Sequence, residues 1–296
     1  MKIFDCITYY DEEILFDLRC NILNKIVDYF VVVEAKFTHT GKKKKLNFDI
    51  RKFREFKKKI IYHVIDKEPK NLLTPAFSEK NNLYFLRHNS LKRVNQSYEE
   101  TLVPIKNIIK PNDYFILSDS DEIPKISKSL FFNNKNKIIL FKQKFFYYKF
   151  NLFYDLVPWF GSKACQFKNL KNPTWLRYIK SKKYSIFRID TIFSHQKYSS
   201  VNIIDDGGWH FSNLKPLNQI IKKLYNSGHS DEYRVNYKNL KTIESMIKRN
   251  EVYYDHFLDK KEPNKIRSIG YKLKKVPNSF IPKYILNNKT RFNKFL

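Results

Sequence analysis

Three carboxylates follow directly after an apolar run near the middle of the chain. Residues 114–117 read Tyr-Phe-Ile-Leu, and Asp119, Asp121 and Glu122 come shortly after them. Such a run is typical of a buried strand in a parallel sheet, and ligands of open α/β sheets collect at the carboxyl ends of those strands. Two carboxylates separated by one residue can converge on a divalent cation, which can also bind a diphosphate. The spacing therefore predicts a cation site at Asp119 and Asp121, with an ordinary solvated turn as the alternative.

The sequence before these acids alternates between strand and helix patterns. Apolar residues recur four apart from Ile14 to Ile26, with glutamates in the first turn, which predicts an amphipathic helix. A second helix is predicted at residues 78–97. The predicted strands are residues 2–8, 29–34, 59–65 and the run that ends at Asp119. Strands separated by helices predict right-handed crossovers and an α/β fold with a mainly parallel, Rossmann-like central sheet.

The sequence after the acids is less regular. Residues 137–150 are rich in Phe, Tyr, Ile and Lys and predict one or two strands, while residues 218–225 and 239–248 predict surface helices. The tail from residue 276 contains two prolines, and we expect its apolar residues to pack on the domain. Trp159 follows a proline and is a candidate to stack on a sugar ring, with core packing as the alternative.

The chain is strongly basic. It has 57 lysines and arginines against 29 acids, so its net charge is +28. A field of this sign attracts nucleic acids, anionic membranes or acidic glycans, so charge alone favours a protein that binds nucleic acid or an anionic surface. However, the lysines are scattered among many Asn, Ile, Phe and Tyr residues, which fits a genome rich in A and T. The densest run, residues 42–45, is either a solvated loop or a contact to a diphosphate or an anionic acceptor.

Composition and hydropathy bound the class of protein further. An apolar fraction of 42% with abundant aromatic residues is that of a folded globular protein, and 296 residues suffice for one large domain. No apolar stretch approaches the ~20 residues that cross a bilayer, and we expect no secretory signal. An odd number of cysteines without metal spacing fits a reducing compartment. We therefore expect a cytoplasmic protein, with peripheral association at anionic surfaces on the inner face of a membrane as a further expectation.

Several blocks of sequence carry a family resemblance when they are taken in order. Residues 119–124 read Asp-Ser-Asp-Glu-Ile-Pro, and residues 207–212 read Gly-Gly-Trp-His-Phe-Ser. With the terminal blocks, they resemble glycosyltransferase family 17, the family of the β-1,4-N-acetylglucosaminyltransferase that adds bisecting residues to N-glycans. The blocks are residues 5–13, 27–35, 38–41, 45–48, 119–124, 207–212 and 281–292. The stretch from about 125 to 200 matches poorly, so acceptor specificity does not follow from the resemblance.

The resemblance implies a fold and a reaction. It implies a GT-A-like glycosyltransferase domain over residues 1–275, with a nucleotide-binding half at about 1–124, an acceptor-side half at about 125–275 and a packed tail at 276–296. It also implies metal-dependent, inverting transfer of a sugar, N-acetylglucosamine first, from a UDP-sugar to a glycan acceptor that is a polysaccharide, lipid-linked or protein-linked. The implied cofactor is Mn²⁺ or Mg²⁺. A different donor sugar remains open, as does a degenerate transferase fold that only binds nucleic acid or an anionic surface.

The expected metal ligands come from two blocks. Asp121 is the first choice as direct ligand of a hard cation, and Asp119 is expected on the ribose, on a metal-bound water or on the metal itself. Glu122 either joins them or is a turn acid before a proline. The resemblance implies His210 as the distant ligand, with a hydrogen-bonded structural histidine as the alternative.

The expected donor-binding residues are more dispersed. Glu34 ends the second predicted strand and His39 follows it, in the half of the domain where the resemblance implies the uracil and ribose. Arg87 is expected to bind the diphosphate or the donor sugar. Gly208 would let the backbone approach the donor, and Trp209 belongs to the same block. The alternative for each is a local structural role.

The general base remains open among three acids. Inverting transfer, which the resemblance implies, needs a carboxylate on the acceptor side of the anomeric carbon. The candidates are Asp205, Asp206 and Glu232. Asp206 stands close before His210, and Glu232 ends the segment 228–232, which resembles the His-x-Glu segment of the family.

Overall fold

This computed structural model describes residues 1–74, 79–226, 240–256 and 268–296 of the chain. Within it the chain forms a mixed α/β fold with two sheets. The strands are β1 (Ile3–Thr8), β2 (Tyr29–Ala35), β3 (Ile60–Ile65), β4 (Tyr114–Asp119), β5 (Glu122–Pro124), β6 (Ile138–Phe141), β7 (Gln143–Tyr147), β8 (Leu152–Trp159), β9 (Lys163–Gln166), β10 (Val201–Ile204), β11 (Gly208–Ser212) and β12 (Lys274–Lys275). The α-helices are α1 (Glu13–Leu23), α2 (Glu79–Glu99), α3 (Lys128–Asn133), α4 (Pro173–Tyr178), α5 (Asp190–Phe193), α6 (Leu217–Asn226), α7 (Leu240–Lys248), α8 (Lys283–Asn287) and α9 (Lys289–Phe292). Short 3₁₀ helices lie at Ile50–Lys59, Val103–Ile105, Phe167–Asn169, Asn278–Phe280 and Asn293–Phe295.

The larger sheet is mainly parallel, as predicted. Its strand order is β10-β6-β9-β4-β1-β2-β3. β1 pairs in parallel with β2 and β4, β2 with β3, and β6 with β10. β9 is antiparallel to both of its neighbours, β4 and β6. The sheet therefore combines strands from both sides of residue 124, where the family resemblance implies a boundary between two halves.

The predicted elements of the first half are confirmed with small shifts at their ends. All four predicted strands are present as β1 to β4, and both predicted helices as α1 and α2. Helix α1 ends at Leu23, so Ile26 lies beyond it, and Ser78 lies outside the described residues. In β2, Val31, Val32 and Val33 are all buried, because helices or loops cover both faces of a parallel strand.

A fully buried ion pair holds α1 against the sheet and against the turn that carries Asp119, Asp121 and Glu122, which we call the acidic turn. Arg19 donates Nε and Nη2 to the two carboxylate oxygens of Asp5 on β1, each at 2.6 Å. Its Nη1 donates to the backbone carbonyl of Glu122 at 2.5 Å. The attraction between the two charges, together with the third hydrogen bond, offsets much of the free-energy cost of removing both charged groups from water. Arg19 therefore fixes the segment that carries the predicted cation site.

The smaller sheet contains β5, which follows the acidic turn, and β11, which carries His210. Its order is β12-β8-β7-β11-β5, and β11 is antiparallel to β5 and parallel to β7. In the β5–β11 pair, His210 stands opposite Glu122 and Trp209 opposite Ile123. Because neighbouring residues of a strand point to opposite faces, His210 and Trp209 face opposite sides of this sheet.

The C-terminal tail packs against the first helix. Ile281, Ile285 and Phe292 are buried in one cluster with Leu15 and Leu18 of α1. Apolar side chains of a short, irregular segment remain in place only when they bury enough area to offset its lost conformational entropy. The tail thus contributes to the core next to the acidic turn.

Two further observations concern hydropathy and cysteines. Among the described residues, no helix combines the length and the apolar character that crossing a bilayer requires. Cys6, Cys20 and Cys165 are buried free thiols. Burial raises the pKa of the Cys165 thiol to about 12, so it is protonated at neutral pH.

Candidate active site

A cavity of about 410 Å³ opens at the carboxyl ends of the central parallel strands. Thr8, Ala35 and Asp119 are the last residues of β1, β2 and β4, and all three line it. Helix α2 adds Leu91 and Tyr98 to its wall. The carboxyl edge is where open α/β sheets bind ligands, and the volume is in the range of small-molecule sites. The cavity is therefore the candidate active site.

The acids of the predicted motif lie in the turn between β4 and β5. Asp119 and Asp121 line the cavity. The carboxylate of Glu122 accepts a hydrogen bond from the backbone N–H of Asp119 at 2.8 Å, which closes the turn. The carbonyl of Asp121 accepts one from the N–H of Phe211 at 2.8 Å, which ties the turn to β11. Local structure thus holds both aspartates at the cavity wall.

Glu122 is fully buried and braces this turn. Arg177 donates Nη1 to Oε2 at 2.7 Å and Nη2 to Oε1 at 2.9 Å, and Trp159 Nε1 donates to Oε1 at 3.0 Å. With the bond from the N–H of Asp119, these fill the acceptor sites of the carboxylate. Burial alone would raise the pKa of Glu122, but the Arg177 guanidinium lowers it. The structure therefore gives Glu122 the turn-acid role, and its carboxylate does not line the cavity.

Asp119 faces the cavity but is engaged by two donors. Its Oδ1 accepts from the hydroxyl of Tyr98 at 3.0 Å, and its Oδ2 accepts from Arg177 Nη2 at 2.7 Å. Burial raises the pKa of Asp119 to about 6, against the opposing charge of Arg177. Asp119 is thus suited to contact a polar group of a ligand.

Asp121 lies against a histidine and a lysine. His210 Nε2 is 3.5 Å from Oδ1, and Lys223 Nζ is 3.5 Å from Oδ2. Burial alone would raise the pKa of Asp121, but His210 and Lys223 hold it well below its usual range. The His210 ring packs on Trp159 and Phe145, with centroids 4.4 and 4.3 Å apart. Its Nδ1 is buried without a hydrogen-bond partner in the described structure, so ring packing fixes its orientation.

Asp121 and His210 fit a divalent cation as a pair of ligands. Mn²⁺ accepts carboxylate oxygen and imidazole nitrogen, and neighbouring ligands of an octahedral ion lie about 3 Å apart. The observed separation of 3.5 Å is close to that value. No group of three or more His, Cys, Asp or Glu side chains suited to a metal occurs within the described ranges. The described residues thus supply two candidate ligands, and substrate or water would add others.

The predicted nucleotide-binding residues of the first half are divided between the cavity and the core. His39 lines the cavity. Glu34 is buried and accepts hydrogen bonds from Tyr62 Oη, from the N–H of Asn47 and from Lys44, so it organises the loop after β2. Lys44 itself lines the cavity. Arg87 lies on α2 and is not one of the residues that line the cavity.

Gly208 and Trp209 lie away from the cavity. Gly208 has a φ of +115°, and a Cβ there would approach the carbonyl oxygen of Ile123 to 2.2 Å. The glycine therefore permits close pairing of β11 with β5. Trp209 donates Nε1 to the carbonyl of Phe280 at 2.8 Å, on the face that packs on the tail. Both residues support the strand that carries His210.

The candidate general bases are not brought to the cavity within the described residues. Asp206 pairs with Lys125 and Lys144, and Asp205 pairs with Lys142 at 3.2 Å. Both carboxylates are well exposed, before the start of β11. Glu232 lies outside the described residues.

Sequence reasoning missed three residues of the site. Arg177 on α4, Lys223 on α6 and Tyr98 on α2 all line the cavity and contact or face its acids. Burial alone would lower the pKa of Lys223, but Asp121 and Glu12 raise it overall, so the ammonium group stays charged. With 57 basic residues in the chain, neither cation has a sequence signal that distinguishes it from a surface residue.

Comparison with known proteins identifies the family of this chain. A search of the curated proteins found no match. The family model of glycosyltransferase family 17 matches residues 1–183, a segment that contains both cavity aspartates and Arg177. His210 and Lys223 lie beyond the matched segment. Because the match covers more than half of the 296 residues, the chain belongs to glycosyltransferase family 17 and is a glycosyltransferase.

Proposed function

We propose that this protein transfers N-acetylglucosamine from UDP-N-acetylglucosamine to a hydroxyl group of a glycan, with inversion and with Mn²⁺ or Mg²⁺ as cofactor, in a GT-A-type domain. The proposal rests on Asp121, which lines the cavity of a family 17 glycosyltransferase, and on His210, whose Nε2 lies 3.5 Å from the Asp121 carboxylate. That cavity opens at the carboxyl edge of a mainly parallel sheet, the edge at which such sheets bind nucleotides.

Asp121 and His210 would hold the cation, which would supply positive charge to the departing diphosphate. Asp121 is prepared for this role because its neighbours hold its pKa low, so it need not release a proton before it binds a cation. His210 is prepared because packing on Phe145 and Trp159 fixes the orientation of its ring.

Lys223 is the side chain that would bind the diphosphate directly. Arg177 is already shared between Asp119 and Glu122, whereas Lys223 Nζ lies 3.5 Å from Asp121, is partly exposed and lines the cavity. A lysine ammonium offers a compact charge with three donors to phosphate oxygens. Asp119, held by Tyr98 and Arg177, would accept a hydrogen bond from a ribose hydroxyl.

The reaction itself is a single displacement. The acceptor oxygen bonds to the anomeric carbon while the bond from that carbon to the diphosphate oxygen breaks, and UDP leaves with the electron pair. A carboxylate takes the proton of the acceptor hydroxyl. Glu232 is the candidate we favour, because it follows closely in sequence on cavity-lining Asn226, whereas Asp205 and Asp206 are paired with surface lysines. Trp159, at the cavity wall, would stack on a sugar ring.

The test is donor hydrolysis and thermal shift of the purified protein across UDP- and GDP-sugars, with and without Mn²⁺. Asp121→Asn removes the charge of the proposed ligand at nearly constant volume. Asp66→Asn is the matched control, because Asp66 is an exposed partner of Lys36. We expect Mn²⁺-dependent release of UDP from UDP-N-acetylglucosamine, lowered at least about a hundredfold by Asp121→Asn and unchanged by Asp66→Asn.

Two results would overturn parts of this proposal separately. Hydrolysis of another nucleotide sugar in preference to UDP-N-acetylglucosamine would replace the donor and keep the site. Full activity in the presence of a chelator, with Asp121→Asn as active as the parent protein, would refute the metal role of Asp121.

A further inference from the structure

The most exposed large apolar side chains of the described structure lie together in one loop. Ile186, Phe187, Ile189 and Phe193 are 71, 88, 73 and 79% exposed. They belong to residues 180–198, which we call the apolar loop and which contains the short helix α5. Single exposed apolar residues are ordinary, but a cluster of this kind marks a surface that binds something.

The apolar loop is held in place by hydrogen bonds at its base. Trp175 Nε1 donates to the carbonyl of His195 at 2.8 Å, and the N–H of Lys180 donates to the carbonyl of Gln196 at 2.9 Å. Nearer its tip, Asp190 accepts hydrogen bonds from Arg188 and Lys197. The loop therefore has its own internal polar structure, and its apolar side chains are left to project outward.

The charge around these side chains is positive. Lys180, Lys182, Lys183 and Arg188 are exposed, while Asp190 is the single acid in residues 180–198. An anionic partner would gain from both features, because its negative groups pair with the lysines while its apolar part takes up the exposed side chains. A second copy of this chain would present the same positive loop and a net charge of +28, so like charges would oppose self-association.

We infer that the apolar loop docks this protein on the surface of an anionic lipid bilayer, with Ile186, Phe187, Ile189 and Phe193 inserted at the level of the headgroups. Apolar side chains and basic residues together provide the two kinds of attraction that stable surface binding requires. The loop directly follows α4, whose Arg177 and Tyr178 line the cavity, so docking holds the active site near the lipid surface. This inference goes beyond the proposed function and does not depend on the donor or the metal.

The test is sedimentation of the full chain with vesicles, without donor or acceptor. One set is phosphatidylcholine with about one third phosphatidylglycerol, and the other is phosphatidylcholine alone. The loop variant is Phe187→Ser with Phe193→Ser. The control is Phe132→Ser, because Phe132 is 69% exposed on α3, outside the loop. All three side chains are exposed, so we expect each variant to fold. An unchanged thermal unfolding temperature checks this.

We expect the parent protein and Phe132→Ser to bind the anionic vesicles, and the loop variant to bind at least about tenfold more weakly. Lys182→Gln with Lys183→Gln should also weaken binding, and by less in high salt, where their charges are screened. Equal binding by the parent protein and the loop variant would overturn the inference, since binding would then be charge attraction alone. So would a dimer, detected by sedimentation velocity, that the loop variant loses, because the loop would then belong to a protein interface. Failure of every nucleotide sugar in the hydrolysis assay would leave these results unaffected.

Discussion

His210 Nε2 lies 3.5 Å from Asp121 Oδ1, and strand pairing sets this separation because His210 stands opposite Glu122 in the antiparallel pair of β5 and β11. The two side chains reach each other from distant parts of the chain, so the pair exists only in the folded protein.

Replacing His210 should weaken metal binding directly. His210→Phe keeps a ring to pack on Phe145 and Trp159 but removes the ligand nitrogen. We expect the affinity for Mn²⁺ in the presence of UDP, measured by calorimetry, to fall about 10- to 100-fold. His63→Phe is the control, since His63 also contacts a carboxylate, that of Glu100, but Glu100, unlike Asp121, does not line the cavity. Equal Mn²⁺ affinity in both variants would exclude His210 as a ligand.

Replacing Lys223 should weaken donor binding more than it disturbs the fold. Lys223→Gln removes the charged group beside Asp121, and we expect KM for the nucleotide sugar to rise about tenfold, the usual range for one charge-assisted hydrogen bond. Lys222→Gln is the matched control, because Lys222 is its exposed neighbour on the same helix. A similar KM for both variants would place the diphosphate elsewhere in the cavity.

Removing Arg177 should destabilise the protein strongly. Arg177→Gln leaves the buried Glu122 carboxylate without its two guanidinium bonds, and breaking a buried pair in this way costs about 3–5 kcal/mol. Urea unfolding measures the loss. Arg51→Gln, at an exposed pair with Asp49, should have little effect. The double variant Arg177→Gln with Glu122→Gln should recover part of the stability, and failure to recover any would mean that other contacts of Arg177 dominate.

The sequence predicts the first half of this fold well because its signals are local. Apolar runs bounded by polar residues mark β1 to β4, and the same reasoning locates Asp119 and Asp121 at a strand end, where they line the cavity. Strand β9 has no such signal. It is a short strand whose antiparallel position between β4 and β6 depends on the tertiary fold.

The roles of individual side chains are harder to predict for a physical reason. Glu34 lies next to the last residue of β2, near the edge where a ligand-binding acid would lie, but nearby backbone N–H groups and Tyr62 draw it into the core. Arg177 and Lys223 gain their roles from acids far away in sequence, and no pattern of spacing records such a contact. Charge density therefore fails to identify the cations that matter.

Acid should destabilise the protein through His256. Burial, with a smaller contribution from His210, lowers the pKa of His256 from 6.5 to about 3, and its Nε2 lies 2.5 Å from the hydroxyl of Tyr147. Between these two values the unfolded chain binds a proton that the folded chain does not. Its share of the free energy of unfolding therefore falls as pH falls, by about 1.4 kcal/mol per pH unit.

His256→Phe should remove this part of the pH dependence, as measured by urea unfolding from pH 7 to pH 4. His195→Phe should keep it, because the His195 side chain lies in solvent. Identical pH slopes in His256→Phe and the parent protein would mean that other groups account for the loss in acid.

Gly208 should tolerate no side chain, whereas Gly270 should accept one at modest cost. Both have positive φ, +115° and +80°, so alanine at either position strains the backbone by about 1–2 kcal/mol. At Gly270 the added Cβ would meet no atom of the described residues within 4 Å, but at Gly208 it would lie 2.2 Å from the carbonyl oxygen of Ile123 and 2.6 Å from the amide nitrogen of Lys125. These are backbone atoms of β5 and of the residue that follows it, so β11 must move away from β5 and carry His210 with it. We expect Gly208→Ala to lower the free energy of unfolding by much more than Gly270→Ala does. We also expect Gly208→Ala to weaken Mn²⁺ binding and Gly270→Ala to leave the Mn²⁺ affinity unchanged. Equal losses of stability, with Mn²⁺ affinity retained in both variants, would mean that β11 shifts without disturbing the Asp121–His210 pair.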